Sequence, residues 1–241
     1  MNTVKIDKKK ARMVAHRGMS GLETENTCAA FVAAGNRSHF GIETDVHVTA
    51  DGEFVVIHDD TATRVAGEDI VIEETPLAAL QEIVLFDKDG SKRRGDLRIP
   101  TVEEYIAICQ KYEKIAVLEL KNRFCKEDIV RLCDRIAAMG YLENVVFISF
   151  VYENLLDVKA LYPDQTVQFL TGDRADMDWL IGELAANGMD LDIQWGGVNE
   201  ALIAKCKAAG LKVNCWTVDH PDDAARLIDL GVDFITSNIL E

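Results

Sequence analysis

A chain of 241 residues, 48% of them hydrophobic, is long enough for one large α/β domain, and none of its apolar runs approaches the roughly 18 residues of a membrane-spanning helix. Twenty-six basic against 41 acidic residues leave a formal charge of −15, which argues against nucleic acid as a partner. The charged start, Met1–Lys10, lacks the apolar core and cleavage site of a secretory leader, and the six cysteines form no C-x-x-C pair. A cytoplasmic protein with reduced, structural thiols and no stable membrane insertion is expected.

Short β-branched runs alternate with amphipathic helical patterns almost to the last residue. In chain order, strands are expected near 12–16, 42–48, 115–120, 145–150, 167–171, 191–195, 212–217 and 233–236. Helices are expected over 26–34, 101–112, 126–139, 152–161, 176–187, 199–209 and 221–230. Asn199 can cap one helix and Gly210 end it, Pro221 opens the next, and Gly231 closes that one. Eight strands in such an alternation predict a single-domain (β/α)8 TIM barrel over 1–241, with an open doubly wound sheet as the other solution. The chain stops soon after the eighth strand, so the eighth helix is expected to be missing or replaced by the amino-terminal segment.

One stretch breaks the pattern. From Thr61 to Pro100 the chain offers turn residues, a strand candidate at 70–72, a helical piece at 76–84 and a polar loop from Asp87 to Gly95. A connection this long reads as an insertion near the active-site rim, following a hairpin after the second strand.

The chemistry-bearing residues sit at strand ends: His16 in Met13-Val-Ala-His-Arg-Gly18, Glu43 and Asp45 in Gly41-Ile-Glu-Thr-Asp45, His58 in Val55-Val-Ile-His-Asp59, and Glu119 in Val117-Leu-Glu-Leu-Lys121. Period-two alternation puts Glu43 and Asp45 on one face, with His47 further along it. If Asp51-Gly52 forms a two-residue type I′ turn, Asp45 lies directly opposite His58, at about 5 Å between Cβ atoms. Glu43, Asp45 and Glu119 make an oxygen-only ligand set suited to one hard divalent cation, Mg²⁺ or Ca²⁺. Arg17 and Lys121 supply the opposite sign. With a dication and one phosphodiester bound, the three carboxylates and two basic side chains leave no net charge, which a partly desolvated pocket tolerates. Trp216 and Phe150, at strand ends, are candidates to pack on substrate. His39 and His220 read as surface or capping residues.

The ordered motifs His16-Arg-Gly18, Glu25-Asn-Thr27, Glu43-Thr-Asp-Val46, Thr49-Ala-Asp-Gly52, Val55-Val-Ile-His-Asp-Asp60, Ile99-Pro-Thr-Val-Glu-Glu104, Leu118-Glu-Leu-Lys121 and Trp216-Thr-Val218 resemble the glycerophosphodiester phosphodiesterase family over about residues 12–237. The resemblance implies a (β/α)8 barrel with an insertion after His58, and a divalent-metal enzyme that cleaves small-molecule glycerophosphodiesters to glycerol 3-phosphate and an alcohol. By motif position it assigns metal binding to Glu43, Asp45 and Glu119, acid–base work to His16 and His58, and phosphate contact to Arg17 and Lys121. Two departures stand out: Thr24 precedes Glu25-Asn-Thr27 where the family commonly has proline, and Thr236-Ser-Asn238 follows the last strand where it favours T-D and a proline. The second leaves the role of the final rim loop open. Phospholipase D-like cleavage of lysophospholipids, with Ile83-Val-Leu-Phe86 as an apolar mouth, and a non-catalytic phosphoester-binding barrel are the rival readings. Oligomeric state is not written in the sequence.

Overall fold

The computed structural model describes residues 2–241. Its strands are β1 (Arg12–Ala15), β2 (Gly41–Val48), β3 (Phe54–Val56), β4 (Ile115–Leu120), β5 (Val145–Ser149), β6 (Val167–Thr171), β7 (Asp190–Gln194), β8 (Val213–Trp216) and β9 (Phe234–Ser237). All but β3 run parallel, and β1 pairs with both β2 and β9, so the sheet closes into an eight-stranded barrel rather than an open sheet. Each barrel strand lies within a residue of its expected limits.

The helices are α1 (Cys28–Gly35), α2 (Thr63–Ala66), α3 (Leu77–Leu80), α4 (Val102–Lys111), α5 (Lys126–Ala138), α6 (Tyr152–Leu161), α7 (Met177–Ala186), α8 (Glu200–Ala208) and α9 (Pro221–Leu230). Local chemistry sets their ends. Thr101 and Glu104 form a reciprocal capping box at α4, Asn199 accepts from the Leu202 N–H at 3.0 Å, and Gly231 ends α9 at φ 94°. Among the described residues no helix follows β9. Instead Val4 bridges to Leu240, and the Ile6 N–H donates to the Glu241 carbonyl at 3.0 Å. His39, expected at the surface, is buried and bonds the Leu240 carbonyl at 2.9 Å.

A large apolar core fills the layer between barrel and helices, while Val14, Val117, Ile148 and Leu170 plug the barrel itself. Above that plug the inward positions turn polar, which is where a TIM barrel opens its C-terminal face.

The hairpin departs from expectation. Val46 pairs with Val56, His47 with Val55 and Val48 with Phe54, so the register is shifted by one residue and Asp45 falls opposite Ile57, not His58. The turn is the cause. Thr49 donates to the Glu53 carbonyl at 2.8 Å, and its hydroxyl accepts the Glu53 N–H at 2.9 Å, leaving a three-residue loop, Ala50 to Gly52, with Gly52 at φ 78°. A strict ladder in this register would turn His58 away. It does not, because β3 ends at Val56 and the chain bends over 58–60.

Residues 61–100 form a folded unit with a small core of its own, including Val65, Ile72, Leu80 and Leu97 packed on Val55 and Ile57 of the hairpin. The expected strand at 70–72 is reduced to a single bridge, Thr61 to Val71, because the chain then coils into a 3-10 turn, Ile72–Glu74. The unit rests on the β1–α1 loop: Lys88 Nζ donates to the Ser20 carbonyl, Arg94 pairs with Glu23, and Thr24 donates to the Phe86 carbonyl.

Candidate active site

At the C-terminal mouth of the barrel a cavity is lined on one side by His16, Arg17, Glu43, His58 and Glu119. The turn after β1 builds its first wall. Arg17 at φ 52° and Gly18 at φ 74° reverse the chain, and a side chain on Gly18 would lie 2.7 Å from the Ala30 backbone, so only glycine fits. This turn aims the Arg17 N–H at Glu43 Oε2, 2.8 Å away. The Glu25-Asn-Thr27 motif then serves three tasks. Glu25 binds Arg17 Nη1 at 2.8 Å, Asn26 donates to Asp45 Oδ2 at 2.7 Å, and Thr27 caps α1.

Glu43, Asp45 and Glu119 converge as expected. Each offers a carboxylate oxygen within 4.8 Å of the other two, and all three are buried. Asp45 and Glu119 are direct partners across β2 and β4, so parallel register brings them together. Lys121 Nζ reaches Glu119 Oε1 at 2.9 Å and Asp45 Oδ1 at 3.3 Å, and Arg17 Nε lies 3.5 Å from Asp45 Oδ2. Burial would raise Asp45, but Lys121 and Arg17 hold it well below the usual carboxylate range. Burial pushes Glu43 well up, reinforced by Asp45 and Glu119, and it pushes Glu119 to about 7. Two basic groups therefore leave three clustered carboxylates under-compensated, and a hard dication is the group that fits this oxygen-only set.

Both histidines are held by Nδ1. Asn238 commits its amide to Asp219 at 2.6 Å, so its Oδ1 accepts the His16 Nδ1–H at 2.7 Å; His16 Nε2 sits 4.0 Å from Glu43. The rim loop whose role the sequence left open thus positions His16. His58 Nδ1 meets Asp59 Oδ1 at 2.7 Å, which leaves its Nε2 for the cavity. Burial lowers the affinity of both rings for a proton, and Arg17 adds to it in each case. Two imidazoles of fixed tautomer beside an arginine, a lysine and a cation-fitting carboxylate triad are equipped for proton transfer around an anionic ester.

Comparison with known proteins decides what kind of ester. The model of the glycerophosphoryl diester phosphodiesterase family matches residues 16–240. The chain belongs to that family. A glycerophosphodiester phosphodiesterase of Caldanaerobacter subterraneus subsp. tengcongensis is 31% identical over 231 residues, covering 95% of this chain and 94% of the relative. A phosphodiesterase of Oleispira antarctica, solved in complex with the product sn-glycerol-3-phosphate, superposes with a TM-score of 0.84 at 27% identity, covering 98% and 96% of the two chains. A glycerophosphodiester phosphodiesterase from Parabacteroides distasonis gives 0.77 at 27% identity, covering 96% and 94%.

In this phosphodiesterase the eight site residues singled out from sequence all lie at one barrel mouth: Trp216 lines the same cavity, its ring edge-on to Phe150 at 5.6 Å, and Asp45 and Lys121 bind its walls. Sequence reasoning missed Asn238, Asp219, Asp59 and Arg64. Arg64, from α2 of the insertion, grips Asp59 with Nε at 2.6 Å and Nη2 at 3.0 Å. It grips Glu25 with Nη1 at 3.0 Å and Nη2 at 2.8 Å. The Arg64 bonds hold Asp59 down at about 2, so the carboxylate behind His58 stays ionised. Asp59 lies next to His58 within the Val55–Asp60 motif, and Asn238 in the rim loop whose sequence departs from the family; nothing local marks Asp219 or Arg64.

Proposed function

We propose that this enzyme hydrolyses small, diffusible glycerophosphodiesters in the cytoplasm to glycerol 3-phosphate and an alcohol, with one divalent cation, Mg²⁺ or Ca²⁺, held by Glu43, Asp45 and Glu119. The observation that carries the reading is the pair of Nδ1-tethered histidines in one cavity with that triad, Arg17 and Lys121. When bound, the cation supplies charge neutralisation at the phosphoryl oxygens.

Arg17 and Lys121 bind and orient the phosphoryl group and stabilise the charge it accumulates. His16, backed by a neutral amide, takes the proton from the attacking oxygen at Nε2. His58, backed by an ionised carboxylate that favours its protonated form, delivers a proton from Nε2 to the leaving alcohol oxygen as its bond to phosphorus breaks. The attacking oxygen belongs to water or to the glycerol 2-hydroxyl. Trapping a cyclic glycerophosphate identifies the second route, and turnover of a substrate lacking that hydroxyl excludes it.

The test is release of glycerol 3-phosphate from glycerophosphocholine with Mg²⁺ or Ca²⁺, and its loss with chelator. Release of phosphocholine and glycerol, or no turnover across head groups, would sink the reading. Of the apolar run suggested as a mouth for the lysophospholipid alternative, Ile83 and Leu85 are buried in the insertion's own core, while Val84 and Phe86 are half-buried.

Arg64→Ala frees both Asp59 and Glu25, so kcat/KM for glycerophosphocholine is expected to fall about tenfold through loosened His58 and Arg17. Arg64→Lys should not restore it, because an ammonium cannot hold two carboxylates bidentately. Steady-state kinetics of the two variants checks both statements.

A further inference from the structure

The far side and floor of the cavity contain a group that the catalytic reading does not use. Asp192, in the middle of β7, is 1% exposed and lines the cavity. Its Oδ2 accepts from Asn214 Nδ2 at 3.1 Å. Asn214 is pinned in turn by Gln168 Oε1 at 3.2 Å and by the Thr236 hydroxyl at 3.2 Å. These bonds fix the carboxyl plane, and Asp192 Oδ1 has no hydrogen-bond partner in the protein. Among the other residues lining this cavity, Arg17 Nε and Glu119 Oε1 are also without a hydrogen bond but sit within the charged cluster; outside it the Trp216 Nε1–H is buried and donates to nothing. An unmade bond at a buried polar atom costs about 1–3 kcal/mol, so a ligand that satisfies both atoms gains from each.

The two orphans outside the charged cluster, on Asp192 and Trp216, specify the ligand. One is an acceptor and the other a donor, so an ammonium, which cannot accept, satisfies only Asp192, and a phosphate oxygen, which cannot donate when ionised, satisfies only Trp216. A hydroxyl does both. Burial pushes the Asp192 carboxyl well up, and a hydroxyl suits either protonation state, donating to the carboxylate or accepting from the acid. Asp192 stands outside the carboxylate triad and has no basic partner among its hydrogen bonds, so neither cation binding nor an ion pair accounts for it.

We propose that Asp192 Oδ1 and Trp216 Nε1 form a subsite that reads the terminal hydroxyl of the substrate's glycerol moiety. This rests on the phosphodiesterase reading above and adds how the site recognises glycerol. With the phosphoryl group held by Arg17 and Lys121 as proposed, the 2-hydroxyl stands one carbon from the phosphoester carbon and the terminal hydroxyl one carbon further, so the terminal hydroxyl has the longer reach. Phe150 at the rim is 48% exposed against 1% for Asp192, so the glycerol end enters first and the variable alcohol stays at the open mouth.

The experiment compares glycerophosphocholine with its 3-deoxy analogue, the phosphocholine ester of propane-1,2-diol, which keeps the 2-hydroxyl. Wild-type kcat/KM is expected to fall about 1,000-fold on the analogue, because a site built to bond a hydroxyl rejects the compound lacking it. In Asp192→Ala, activity on glycerophosphocholine drops to near the analogue's level, while activity on the analogue changes less than about threefold, so the preference collapses. Trp216→Phe, which removes the N–H and keeps an aromatic ring, should cut the preference about tenfold. Equal wild-type turnover of the two substrates overturns the subsite. So does an equal loss on both in Asp192→Ala, the result a structural role or a bound water would give. Absence of all turnover would instead defeat the phosphodiesterase reading. Calorimetric binding of glycerol 3-phosphate against propane-1,2-diol 1-phosphate then reads the subsite directly, and equal or absent binding of the two overturns it.

Discussion

His16→Ala and His58→Ala each lower kcat for glycerophosphocholine by about 100-fold or more, the usual worth of a positioned acid or base. The two losses differ in kind. In the mechanism proposed above His58 protonates the departing alcohol, so a glycerophosphodiester with a nitrophenolate leaving group, which needs no proton, should restore most of the activity of His58→Ala. His16→Ala should stay impaired on that substrate, since activation of the attacking oxygen is unchanged by the leaving group. Recovery in His16→Ala alone would reverse the assignment, and near-normal turnover in either folded variant would remove that histidine from the mechanism. The asymmetry comes from the partners behind each ring, the Asn238 amide against the Asp59 carboxylate.

Glu43→Gln and Glu119→Gln are expected to raise the divalent cation concentration for half-maximal activity by about 100-fold or more, since losing an outer partner of a ligand already costs roughly 10–100-fold. The triad also sets a pH dependence in the metal-free protein. Glu119 has its carboxyl raised from an ordinary 4.5 to about 7, chiefly by burial and then by Asp45. Between those values the folded state holds a proton that the unfolded chain has released, so stability falls as pH rises, by up to roughly 3 kcal/mol. Below that window the contribution is fully present. Added Mg²⁺ or Ca²⁺ binds the ionised form and should raise Tm most above pH 7, while Glu119→Gln makes the profile less steep, Glu43 and Asp192 being raised in the same sense. Thermal melts of chelator-treated protein across pH 5–8 read all three. A flat wild-type profile with no response to cation would show that the carboxylates are not a metal site.

How far the sequence could carry this depended on whether a contact was local. Each barrel strand was legible because its apolar run, its alternation and its flanking caps act within a few residues, as at Thr101 and Glu104 or at Gly231. Glu43, Asp45, Glu119, His16 and His58 were legible because parallel strands deliver their C-terminal ends to one rim whatever the helices do. The hairpin shows the limit of local rules. Asp51-Gly52 suggested a two-residue turn, but the Thr49 hydroxyl and the left-handed Gly52 stabilise a loop one residue longer, and one residue is a full change of face. His58 nevertheless arrives, because the chain leaves the ladder after Ile57 and bends over 58–60.

By itself the sequence determined the barrel, the family and the identity of the charged and proton-carrying groups, since these follow from periodicity and from residue type at strand ends. Only the tertiary structure decided which atom of each histidine faces the cavity, that Arg64 joins the insertion to both His58 and Arg17, and that Asp192 and Trp216 present unpaired atoms at the same cavity. Apart from the short-range contacts of Asp59 with His58 and Arg64, those features depend on side chains up to 222 positions apart in the chain meeting within hydrogen-bond distance, or across one cavity, and barrel closure is what brings the most distant of them together.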